Sequence, residues 1–163
     1  HTHTHTHTHS YSYSLPLTQI PPPSPPLTSL FHFNETDHAM LLHKTPFYTT
    51  FQHHSTFTRD GGTTYEVSAS GEAGPYGRAY LSYVFTDKQS LGTGGEYTGF
   101  AWTQNGENVV TATLQGAYVK QGKVFKLYGF DPTSNGNLNL AIGIVDFVAK
   151  TINFKVTEVD TSL

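Results

Sequence analysis

The sequence predicts an all-β domain: a single small antiparallel up-and-down β-barrel of about eight strands, preceded by a low-complexity leader. Three observations predict it. Apolar and polar residues alternate with period two in several separate runs, and glycine-bearing turns fall between those runs. A linear series of antiparallel strands also leaves two unpaired edges unless the first strand meets the last. A two-sheet β-sandwich with the same number of strands is the alternative architecture.

Taken in order, the expected strands are 47–58, 63–70, 77–86, 96–104, 108–119, 123–130, 137–145 and 150–159. The last is the cleanest, because Ile152, Phe154 and Val156 alternate with Thr151, Asn153, Lys155 and Thr157. Val110, Ala112, Leu114 and Tyr118 oppose Thr111, Thr113 and Gln115 in the same way. Leu138, Leu140, Ile142 and Ile144 form a third apolar face against Asn139, Ala141 and Gly143. The turns agree with these strands. Asp60-Gly61-Gly62 and the stretch from Gly71 to Gly77 close the first pairs, and Gln121-Gly122 and the stretch from Asp131 to Gly136 close later ones. Asn105-Gly106 is expected at the centre of a type I′ hairpin, where both central positions need positive φ. Gly99, Gly116, Gly129 and Gly143 lie inside strands and are expected to mark tight bends or bulges at barrel corners.

Residues 1–45 are a different kind of sequence. His and Thr alternate from His1 to His9, a proline cluster follows at Pro21, Pro22, Pro23, Pro25 and Pro26, and no core can form from such a composition. A CA dinucleotide repeat encodes alternating His and Thr, and the only methionine is Met40. Residues 1–39 are therefore expected to be translated non-coding sequence or a disordered leader, with the β-barrel domain occupying 46–163. The histidine run also has the composition of a metal-binding tract, and Asn34-Glu35-Thr36 is a glycosylation sequon.

About 120 residues are then left for one domain. The net charge is −3, and the basic residues Arg59, Arg78, Lys88, Lys120, Lys123, Lys126, Lys150 and Lys155 are scattered rather than striped. No nucleic-acid partner is expected from that distribution. No apolar run approaches the roughly 18 residues of a membrane span, and no signal peptide is recognisable, so a soluble protein is expected. Cysteine is absent, which removes disulfides and thiolate sites but does not fix the compartment. Composition does not specify an oligomeric state.

Chemical motifs are sparse. Leu91 to Gly99 fails the dinucleotide pattern because Tyr97 stands where the third glycine is needed. His53-His54 cannot jointly grip a metal from one strand, since neighbours point to opposite faces; His53 shares parity with Phe51 and is the inward member. Asp60, Glu72, Asp87, Glu107, Asp131, Asp146 and Asp160 read as solvated turn carboxylates. No serine triad or zinc spacing is present, and no cofactor or metal is expected.

The strand number, the hairpin order and the segments Gly95-Glu96-Tyr97-Thr98-Gly99-Phe100 and Ala112-Thr113-Leu114-Gln115-Gly116 resemble small calycin-type and allene-oxide-cyclase-like eight-stranded barrels, together with bacterial barrel families of uncharacterised function. The likeness covers residues 62–159. Trp102 follows Gly99 by three positions, unlike the Gly-x-Trp of lipocalins, and no catalytic residue is carried over.

An eight-stranded barrel has an interior that side chains can fill or that one small ligand can share with them. The leading expectation is a non-enzymatic barrel binding a small apolar molecule inside, with Tyr83, Trp102, Tyr118 and Phe154 lining the site, Glu96 or Arg78 near a mouth, and His53 as a further inward group. A cavity-based isomerase or cyclase is the alternative, and a structural or partner-binding barrel with a filled core is the third reading.

Overall fold

A computed structural model of the chain describes residues 44–162. The leader, its histidine run and its sequon lie outside the described residues. Within them are β1 (Phe47–Arg59), β2 (Thr64–Glu72), β3 (Arg78–Thr86), β4 (Gly94–Asn105), β5 (Asn108–Gln121), β6 (Val124–Pro132), β7 (Leu138–Asp146) and β8 (Thr151–Glu158). Every strand pairs antiparallel with the next, and β1 pairs with β8 from Phe47↔Val156 to Gln52↔Thr151. The barrel is therefore closed and has no free edge, which rules out the sandwich.

The hairpin turns differ in detail from the sequence expectation. Asn105 pairs with Asn108, so the two-residue turn is Gly106-Glu107 and only Gly106 has positive φ, at +61°. Gln121 pairs with Val124 around Gly122, at +57°. Glycine at the first central position is the type II′ preference rather than the type I′ pattern of Asn-Gly.

The interior is graded along the barrel axis. At one end the inward positions are aromatic: Tyr65, Phe85, Tyr97, Tyr118, Phe125 and Phe147 form a continuous set of ring contacts with centroids between 4.7 and 6.0 Å. At the other end the same strands turn in Ala79, Ala101, Ala112 and Ala141 together with Thr49, Thr103 and Asp131. Large side chains fill one half, and small ones leave the other half hollow.

One sequence expectation is corrected here. The inward face of β7 is Asn139, Ala141, Gly143 and Val145, so the apolar series Leu138, Leu140, Ile142 and Ile144 points outward. The Phe154 ring lies where a Cβ on residue 143 would project, and that inward volume is already occupied from β8. No bulge interrupts the ladders at Gly99 or Gly143, and the β5–β6 ladder ends at the Gly116↔Gly129 pair. The one register shift lies between His53 and Ser55.

Gly116 and Gly129 pair directly, and the Tyr97 hydroxyl rests over both. A Cβ added at Gly116 would come to 2.7 Å from Tyr97 Oη and would also meet the neighbouring strand's backbone. Gly129→Ala is accordingly expected to displace Tyr97 and cost about 1–3 kcal/mol, lowering the melting temperature by roughly 4–12 °C. Gly136→Ala serves as the comparison, since it meets no atom and tests backbone strain alone at φ +89°. A Gly129→Ala chain melting like the parent would remove this account of the glycine pair.

Candidate functional site

The small-residue half encloses a partly open cavity of about 70 Å³. Its wall comes from seven of the eight strands and from Ala73, just past the end of β2, at the end where β1, β3, β5 and β7 begin and β4, β6 and β8 finish. The single-turn 3₁₀ segment Gly74–Tyr76 brings Tyr76 over that end, where its ring meets Phe47 at 6.1 Å. Most of the wall is apolar, and its polar members have distinct states.

Asp131 is the only carboxylate on the wall. Its position on β6 follows Phe125, Leu127 and Gly129 at two-residue steps, so it points inward and is only 9% exposed. The turn-like composition of residues 131–136 had suggested a solvated carboxylate. In the structure the strand continues through Pro132 before the chain turns, and Asp131 is carried into the interior. The backbone N–H of Gln115 donates to Oδ1 at 3.4 Å, a long bond that offsets little of the desolvation. Burial therefore pushes the Asp131 carboxyl up to about 7, against the smaller opposing effect of that bond.

The phenols of Tyr83 and Tyr97 have raised pKa values, first through burial and then through the nearby Asp131 charge. Asn139 donates from Nδ2 to Tyr76 Oη at 3.2 Å, while its Oδ1 is buried without a hydrogen-bond partner. The wall hydroxyls are already committed to backbone carbonyls: Thr49 donates to Glu72 O, Thr103 to Val110 O at 2.7 Å, and Thr133 to Asn137 O at 3.0 Å. Asp131 thus stands on a mostly apolar wall with one long hydrogen bond.

The residues singled out from the sequence are dispersed. Tyr83 and Phe154 lie on the cavity wall. Tyr118 is buried in the aromatic half, stacked on Phe125 at 4.7 Å, and burial pushes its phenol up to about 12. Trp102 points outward, 41% exposed, beside Tyr80 at 5.6 Å. Its parity on β4 follows Phe100, opposite to the buried Tyr97, Ala101 and Thr103. Glu96 and Arg78 are exposed on the outer wall at opposite ends, Glu96 pairing with Lys88 at 3.3 Å and Arg78 with Glu72 at 3.6 Å.

His53 faces inward at the aromatic end, with its ring 5.9 Å from Phe147, and burial lowers its pKa. His54 faces the other way and meets Ser70 Oγ. Among the described residues no cluster of metal-ligating side chains is present, and no helix is long and apolar enough to cross a membrane. The closed eight-stranded antiparallel barrel agrees with calycin-type barrels at the level of the fold. No family model, no curated protein and no solved structure matches the chain.

Proposed function

We propose that the barrel binds one small, mostly apolar molecule in its hollow half, as calycin-type barrels that hold a ligand do. The observation that carries this reading is the grading of side-chain size. A protein selected only for a filled core has no need of Ala79, Ala101, Ala112 and Ala141 around a gap while the opposite half is packed with rings. The volume of about 70 Å³ suits roughly five or six water-sized groups, a small molecule or the tip of a larger one, and lies well below that of drug-sized pockets. Tyr83 and Phe154 supply apolar contact, and Asp131 supplies the polar specificity.

A fragment library screened by ligand-observed NMR against the full chain tests this. Fragments of roughly six heavy atoms are expected to bind the parent and to be lost in Ala101→Leu, which fills the cavity with a branched side chain. Tyr48→Ala, on the outer wall, is expected to leave binding unchanged. Binding that survives Ala101→Leu, or no binder at all, would remove the reading.

One observation favours the isomerase alternative. A carboxyl that titrates near neutrality inside an apolar cavity can both accept and return a proton. Catalysis in this reading is proton transfer by Asp131 on the bound molecule, with the Tyr83 hydroxyl on the same wall.

A further inference from the structure

We propose that the cavity selects a small organic ammonium ion, its charge met by the Asp131 carboxylate. This rests on the binding reading above and narrows its ligand class.

Four wall donors are used within the protein: the hydroxyls of Thr49, Thr103 and Thr133 on backbone carbonyls, and Asn139 Nδ2 on Tyr76 Oη. Tyr76 Oη also accepts from Asn137 Nδ2 at 3.4 Å. The Asp131 carboxyl is held by a single long bond. The phenols of Tyr76 and Tyr83 stand on the same wall and can accept as well as donate.

Among the described residues no lysine, arginine or histidine lies on the wall to balance an ionised Asp131. The groups facing it from other strands are the phenols of Tyr83 on β3 and Tyr97 on β4, the backbone of Gln115 on β5 and the amide of Asn139 on β7. None carries a positive charge.

A neutral alcohol would satisfy one acceptor and leave the carboxylate uncompensated. An ammonium group brings the missing charge and several donors together, and its alkyl part meets the rings of Phe51, Tyr83 and Phe154, whose faces attract cations. Burying a charge is costly unless it is paired and hydrogen-bonded, which is the arrangement this wall supplies. An anion would instead meet the Asp131 carboxylate.

Cyclopentylamine and cyclopentanol, matched in shape, test the proposal on the full chain by NMR titration. Cyclopentylamine stays protonated throughout, so its affinity is expected to rise roughly tenfold or more from about pH 5.5 to about pH 8 as Asp131 ionises, whereas cyclopentanol gains nothing. Asp131→Asn is expected to abolish amine binding and keep the alcohol. The pH series on the parent chain stands even where that variant folds poorly. Alcohol binding with no amine binding, amine affinity independent of pH, or amine binding intact in Asp131→Asn would each overturn the ammonium assignment and leave the pocket reading standing. Binding of neither compound would overturn both.

Discussion

Asp131→Asn is expected to stabilise the fold by roughly 2–4 kcal/mol at about pH 8 and to leave it nearly unchanged at about pH 4. The parent carboxyl titrates at about 7 in the folded chain and near 3.8 when unfolded. Between these values the folded state holds a proton that the unfolded state has released, so stability from this group falls as pH rises. Below about pH 4 both states are protonated and there is no penalty; above about pH 7 the loss is complete and constant. At about 1.36 kcal/mol per unit the interval amounts to roughly 4 kcal/mol, an upper figure that water entering the partly open cavity reduces. Asparagine keeps the shape and never ionises. Urea unfolding of both chains at the two pH values measures the difference, and a variant equally stabilised or destabilised at both would show that Asp131 is solvated. Since no basic residue among the described ones lies on the wall beside this charge, a bound cation would recover the same energy, and added cyclopentylamine should flatten the parent's loss of stability with pH.

The fold was legible in the sequence because its determinants are local. Alternation along 151–157 and 110–118 set the inward faces of β8 and β5, and glycine turns set the order of the hairpins. Closure followed from the cost of leaving edges unpaired. The cavity was much less legible, because it depends on which residues from different strands share a level along the axis. On β7 the larger apolar residues face outward, where the alternation alone assigned them to the core; the small inward Gly143 makes sense only beside the Phe154 ring. Trp102 was drawn into the site by its size, although its two-residue steps to Phe100 and Gln104 place it outside. Asp131 was missed although the signal was present. It continues the Phe125, Leu127 and Gly129 series, but the following proline and the asparagine-glycine cluster suggested that the strand had already ended.

Phe85→Ala is expected to cost about 3–5 kcal/mol, and Trp102→Ala no more than about 1.5 kcal/mol. Phe85 is 0% exposed, and its ring touches Tyr83 and Tyr118 at 5.5 Å, Phe125 at 5.7 Å and Tyr97 at 5.8 Å. Truncation would leave a void walled by rings anchored on β3, β4, β5 and β6, none of which can move inward without leaving its strand position. Trp102 has one aromatic neighbour, Tyr80, and lies on the outer wall, where solvent replaces what is removed. A domain of this size has a total stability of about 5–15 kcal/mol, so the Phe85 loss brings it close to unfolding, and Phe85→Leu then supplies an intermediate value from a chain that stays folded. Thermal and denaturant unfolding of the three variants orders them. If Trp102→Ala proved as costly as Phe85→Ala, the aromatic half of the barrel would not be the anchor that allows the alanine half to stay hollow.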